Sequence, residues 1–269
     1  MIINFLLHDF KQFGDLPAII WKKKKYSYSW LLERINYWRN EFENQKLNNG
    51  AIVALEGDFT PESIAAFLGL TANNCIIVPQ INSNQQNIGE KYEIAEVQFK
   101  VSIDGLEKVK IRNQNFFPSH DLTKEIINRG TPGLILFSSG TSGKPKGAVH
   151  DFSQLLEKFK TKRKSLKILN FLLFDHWGGL NTMLHTLSNG GVVITVMDRS
   201  PDGICRMIQD YKIEVLPASP TLLNLILISG AFKDFDLSSL EIISYGTEAM
   251  PESTLNALNK LFPEVKFLQ

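Results

Sequence analysis

The chain has 269 residues, room for one large or two modest domains, and its 43% hydrophobic content is ordinary for a protein with a buried core. A formal net charge of +1 gives no electrostatic case for nucleic acid as the main partner. Cys75 and Cys205 are the only cysteines, which excludes a disulfide framework and makes a reducing, cytoplasmic setting the expectation.

The first residues lack the basic leader and long apolar run of a signal peptide. No apolar stretch approaches the roughly 20 residues of a membrane span. Residues 3–13 carry apolar side chains at helical spacing and end near Gly14. Residues 17–21 read as a strand, and the four lysines 22–25 then read as a solvated hairpin tip, with a nucleic-acid patch as the other reading. Ser29 looks like the N-cap of a helix over 30–45 that stops at Asn48-Asn49-Gly50. Residues 51–55 form a strand, Pro61 opens a helix to about Thr71, and 75–79 form the next strand. Between 81 and 121 the pattern is weak, with a helix over 92–97 and a strand over 101–103.

Four apolar residues, 134–137, form a short buried strand that breaks into a loop of Gly, Ser and Thr with two lysines, and Asp151 then opens a helical stretch. Strand, glycine-rich loop and helix is an arrangement that offers backbone N–H groups to phosphate. The hydroxyls of Ser138, Ser139, Thr141 and Ser142 can donate to phosphate oxygens, and Lys144 and Lys146 supply charge. A Walker loop does not fit, because Pro145 follows Gly143-Lys144 and position 138 is Ser; the dinucleotide glycine spacing fails as well. The remaining reading is a flexible surface loop. The basic stretch Lys158, Lys160, Lys162, Arg163, Lys164 and Lys167 lies at and beyond the following helix and complements its dipole. Strands over 170–174, 192–196, 215–220, 240–244 and 265–268 alternate with helices over 183–187, 201–209, 221–228 and 252–262. Strand–helix alternation argues for parallel-type α/β layers. Asp175 and His176 sit where a strand ends, a usual place for ligand groups, and a capped structural His is the equal alternative. Trp177 faces a pocket or belongs to the core. Glu248, on a turn after a strand, is a ligand or a solvated capping residue. The five histidines are scattered, and no metal-ligand cluster is visible.

Residues 138–147 read Ser-Ser-Gly-Thr-Ser-Gly-Lys-Pro-Lys-Gly, matching at every position the phosphate loop of the adenylate-forming superfamily. Those proteins include acyl-CoA synthetases, peptide-synthetase adenylation domains and luciferases. The opening strands and helices resemble that superfamily in the same order. The resemblance implies an α/β fold of two parallel-type sheets flanked by helices. It divides the chain into 49–165, carrying the loop, and 1–48 with 166–269. It assigns nucleotide phosphates to Ser138, Ser139, Gly140, Thr141, Ser142, Gly143 and Lys146, with Lys144 at a variable position. It also assigns Gly246, Thr247 and Glu248 to a turn lining the adenine and acyl pocket, although Tyr245 and Ala249 depart from the family pattern there. His176 aligns with the His beside the acyl carboxylate of acyl-CoA synthetases. Asp175, after Phe174, resembles instead the Asp that holds an amino-acid substrate's amino group, and Trp177 would border the same pocket.

The activity implied is formation of acyl-AMP from a carboxylic acid and ATP with Mg²⁺, then transfer to the thiol of CoA or a carrier protein. The alternatives are an amino-acid adenylation domain and a non-catalytic nucleotide-binding or interaction module that keeps the fold. The family's Mg²⁺-binding Glu, ribose-binding Asp and catalytic Lys match no residue here. By resemblance the chain is the N-terminal part, holds no catalytic residue and is inactive alone, with the C-terminal remainder of the fold absent.

Overall fold

A computed structural model describes residues 2–81, 88–114, 116–139, 144–246 and 248–269. In chain order it shows α1 (Asn4–Phe13), β1 (Pro17–Trp21), β2 (Lys24–Ser27), α2 (Tyr28–Asn44), β3 (Ile52–Gly57), α3 (Pro61–Ala72), β4 (Ile76–Ile81) and α4 (Ile88–Ile94). It continues with β5 (Phe99–Ile103), β6 (Val109–Asn113), α5 (Asp121–Arg129), β7 (Gly133–Ser139), β8 (Pro145–Asp151), α6 (Phe152–Leu156) and β9 (Lys167–Asn170). The last elements are α7 (Trp177–Ser188), β10 (Val192–Thr195), α8 (Pro201–Tyr211), β11 (Val215–Ala218), α9 (Pro220–Ser229), β12 (Ile242–Tyr245), α10 (Glu252–Leu261) and β13 (Lys266–Leu268).

Two sheets flanked by helices result, and both are mixed. One runs β6-β5-β3-β4-β7-β8, with a parallel centre and antiparallel strands at both edges. The other runs β13-β12-β11-β9-β10-β1-β2, parallel from β13 through β1. The two compact units are residues 1–16, 26–162 and 173–180, and residues 17–25, 163–172 and 181–269. The helices α1 and α2 therefore fall in the first unit, whereas the expected division put 1–48 with the second.

In the first unit α3 is buried along its whole length, so it shows no amphipathic stripe. The α2 helix lies against it closely enough that a Cβ on Gly69 would stand 3.0 Å from that of Trp38. Glu62 of α3 accepts from Arg34 Nε at 2.7 Å and from Trp38 Nε1 at 2.7 Å, which satisfies a carboxylate at a helix interface. Ile52, Ala54, Ile76, Val78 and Ile135 of the central strands pack with Tyr92 and Ile126 as this unit's core. In the second unit Leu169, Ile194 and Leu216 meet Ile204 and Ile208 of α8 and Leu223 and Ile226 of α9.

Several local expectations change. Ser27, not Ser29, caps α2, its hydroxyl accepting from Trp30 N at 3.1 Å. The strand expected over 170–174 ends at Asn170. Within the basic stretch, Lys158 and Lys160 lie in the last turn of the short 3₁₀ helix over 157–160 that continues α6. Three of its members also pair with carboxylates, Lys160 with Glu157 at 2.5 Å, Lys162 with Asp9, and Lys164 with Glu241 at 2.8 Å.

Candidate functional site

The strand β7 carries the chain to the predicted phosphate loop. Leu134 and Ile135 are buried, and β7 lies between β4 and β8 rather than at an edge. The chain then returns antiparallel, with Ser139 opposite Pro145, Ser138 opposite Lys146 and Phe137 opposite Gly147. The loop is therefore the tip of a β-hairpin. This corrects the strand–loop–helix expectation: the seven residues of β8 separate the loop from α6. The N-terminus of α6 is also occupied. Asp151 accepts from Ser153 N at 3.0 Å and pairs with Arg129 Nη1 at 3.2 Å. Burial pushes the Asp151 carboxyl up, and the bonds from Ser153 and Arg129 outweigh it and hold the group below the usual carboxylate range. A helix start filled by its own carboxylate has nothing left for phosphate.

Gly140, Thr141, Ser142 and Gly143 lie outside the described residues, as does the side chain of Ser139. The flanks are described. Ser138, Lys144 and Lys146 are exposed, and neither lysine has an ion-pair partner among the described residues. Gly147 allows close pairing, because a Cβ there would meet the Phe137 ring at 3.2 Å and Ile135 Cγ2 at 3.3 Å. The pairing register thus holds a cation and a hydroxyl on adjacent strands just before the tip, which suits an oxyanion.

Phe174, Asp175 and His176 form a turn that opens α7. Phe174 is buried, its ring edge-on to Phe59 at 5.1 Å and Phe67 at 6.2 Å. His176 is exposed and serves as a cap: its Nδ1 accepts from Gly178 N at 3.1 Å, and its carbonyl accepts from Gly179 N at 3.1 Å. With Nδ1 accepting from the backbone, Nε2 is the ring nitrogen left to meet a substrate. Asp175 and Trp177 are half-buried beside it. The Lys158 ammonium stands 4.9 Å from the centre of the Trp177 ring, and burial pushes its pKa down.

Gly246 and Glu248 follow β12 in the second unit. Glu248 is exposed and accepts from Thr221 Oγ1 at 2.6 Å. Thr247 lies outside the described residues.

Sequence reasoning passed over a polar row in the first unit. Ser102, Glu56 and Gln80 are register neighbours across β5, β3 and β4. Glu56 accepts from the Tyr92 hydroxyl, from Ser102 Oγ at 2.8 Å and from Lys100 Nζ at 2.6 Å. Gln80 accepts from Lys91 Nζ at 3.1 Å, and that ammonium lies 5.7 Å from the Phe137 ring of β7. The signal was present: two apolar strands each carry a polar residue one place before their end, Glu56 in β3 and Gln80 in β4. Asn170, at the end of β9, is another. It is 1% exposed, and neither its amide nitrogen nor its oxygen has a hydrogen-bond partner among the described residues. An unpaired buried amide is unusual and marks a place for a water or a ligand's polar group.

A family model described as AMP-binding enzyme matches residues 6–269. Surfactin synthase subunit 2 of Bacillus subtilis (strain 168) is 24% identical over 269 residues, covering 90% of this chain and 7% of that protein. Acyl-CoA synthetase 7 of Caenorhabditis elegans is 31% identical over 185 residues, covering 63% of this chain and 33% of that protein. The chain thus spans a third or less of these curated relatives. Among solved structures, the N-terminal subdomain of Klebsiella oxytoca NpsA in complex with 3-hydroxyanthranilyl-AMSN superposes with a TM-score of 0.77 at 18% identity, covering 97% of this chain and 70% of that one.

Proposed function

Because the chain belongs to the AMP-binding enzyme family, we propose that it is the nucleotide-phosphate-binding, N-terminal part of an ATP-dependent ligase that activates a carboxylic acid. The observation that carries this reading is the hairpin tip itself: ten residues matching the family loop at each position, flanked in register by Ser138 and Lys146. In the reaction a carboxylate oxygen attacks the α-phosphorus of ATP. The bond from that phosphorus to the bridging oxygen breaks, and pyrophosphate leaves with its electron pair. A thiol, of CoA or of a carrier protein, then attacks the acyl carbon and AMP departs. Such a displacement needs charge neutralisation and positioning, not a protein nucleophile. Here Lys146 neutralises phosphate oxygens and Ser138 donates to them. His176 offers Nε2–H to the substrate carboxylate, with Trp177 beside it. Mg²⁺ would neutralise the triphosphate. The described residues gather no group of three or more His, Cys, Asp or Glu side chains suited to a metal ion, so no Mg²⁺ ligand is assigned.

A second reading, amino-acid adenylation, is favoured by Asp175 after Phe174 and by the match to a peptide synthetase. A non-catalytic nucleotide-binding module is the third.

The test is titration of the chain with ATP and with pyrophosphate by calorimetry. Loss of one charge-assisted contact is worth roughly 1.5–3 kcal/mol, about ten- to a hundredfold in affinity. Lys146→Ala is expected to weaken binding at least about tenfold, and Lys144→Ala less than about threefold. Equal effects of the two replacements would mean a diffuse charge field with no seat for pyrophosphate, and the reading would fall.

A further inference from the structure

We propose that the second unit carries a separate binding site for a small amphiphilic anion, an acyl or aryl body bearing one carboxylate or phosphate, in the groove between the β1–β2 turn and α8. The groove has a volume of about 340 Å³, within the range of small-molecule pockets. Its floor is apolar, formed by Ile20, Ile194, Met207 and Tyr211, and its rim carries Lys22, Lys23 and Arg206. Its walls come from β1, the β1–β2 turn, β10 and α8. Met197, two residues beyond β10, adds an apolar lip that is 57% exposed.

The turn is the second observation. Lys22 and Lys23 have φ of 47° and 66°. Residues other than Gly are uncommon in that left-handed region, and Asn-Gly is the usual occupant of a two-residue hairpin turn. Lys46, Asn74, Glu96, Glu107 and Lys212 share that backbone region; what sets this turn apart is that both of its residues line the groove. The Lys22 ammonium lies 4.3 Å from the Trp21 ring centre, which fixes its position. Lys23 has no ion-pair partner among the described residues. The Arg206 guanidinium is steadied 5.6 Å from the Phe235 ring.

Two carboxylates also line the groove. Asp198 is committed to α8: it accepts from Ser200 N at 2.9 Å. It also lies so near the helix that a Cβ on Gly203 would stand 2.5 Å from its Cγ. Asp198 also interacts electrostatically with Arg206, so the lining sets three cations, Lys22, Lys23 and Arg206, against two carboxylates and keeps a surplus of one positive charge, which favours an anion. The floor rewards a hydrocarbon body, which an inorganic anion lacks.

Octanoate, octyl phosphate, octylamine and 1-octanol, titrated calorimetrically into the chain, decide the matter. Octanoate and octyl phosphate are expected to saturate, with octylamine and octanol at least about tenfold weaker. The tighter of the two anions identifies a free acid or a phosphate ester as the source. Replacing the turn, Lys22→Asn with Lys23→Gly, should weaken anion binding at least about tenfold while raising the melting temperature, because strain is relieved. Arg206→Gln should weaken binding with the fold intact. His176→Ala, in the other unit, should leave it unchanged. No saturable binding would overturn the proposal. So would binding that survives the turn replacement, or that is lost on His176→Ala and therefore belongs to the acyl pocket of the proposed ligase.

Discussion

Glu56 sits one residue before the end of the apolar strand β3 and is only 8% exposed, yet it is held as a carboxylate. Burial raises its pKa, and the bonds from Lys100, Tyr92 and Ser102 together outweigh burial and lower it. A group with a depressed folded pKa stabilises above its unfolded value, about 4.3 for Glu, and loses that contribution as pH falls through the folded value. Glu56→Gln is therefore expected to cost about 1–3 kcal/mol at neutral pH. The gap to the parent protein should close as pH falls below about 4. Urea denaturation across pH checks it, and a gap independent of pH would mean that ionisation contributes nothing. His176 and Asp175 give the second residue-scale prediction, for the protein in its active form. If His176 borders the acyl carboxylate, His176→Ala should raise KM for acid or lower kcat while KM for ATP stays nearly unchanged. A larger effect of Asp175→Asn, with a preference for acids bearing an α-amino group, would establish the amino-acid reading instead.

At the scale of elements, the hairpin shows what sequence could and could not tell. The apolar run of β7 was legible because a strand buried on both faces reads as continuous Leu, Ile and Phe. Its partner was not. Pro145, Lys146, Gly147 and Ala148 have weak strand propensity, and only pairing with β7 makes them a strand. The helix α5 and strand β6 were missed for another reason. Val109 and Ile111 do alternate with Lys110 and Arg112, but five residues of an edge strand are too short a pattern to stand alone. The consequence for the site is testable through Asp151. If the tip of the hairpin binds phosphate, Asp151→Ala removes only the cap of α6 and the partner of Arg129. It should cost about 1 kcal/mol of stability and leave ATP binding within about twofold. Had the start of α6 been the anion site, removing its carboxylate would tighten ATP binding by more than that.

At the scale of the whole molecule, the α/β class was legible from the strand–helix alternation, while the edge strands that make both sheets mixed were not. No helix among the described residues is long and apolar enough to cross a membrane. The proposed ligase needs three groups that no residue of this chain matches by the family pattern: a carboxylate for Mg²⁺, a carboxylate for the ribose and a catalytic lysine. On the proposed reading the phosphate end of ATP is seated at the hairpin tip without them. What is expected to fail is the rest of the transition state, where charge develops between the α-phosphorus and the departing pyrophosphate and must be met by groups already in place. Binding energy spent on the phosphates alone holds ground state and transition state alike and does not accelerate the step. Exchange of labelled pyrophosphate into ATP by this chain is accordingly expected at background with any carboxylic acid, even where calorimetry shows nucleotide bound. The assay separates the possibilities cleanly. Bound nucleotide without exchange agrees with a phosphate-seating part of a ligase. Exchange above a blank that disappears on Lys146→Ala would show that the three groups are dispensable or are replaced by residues of this chain.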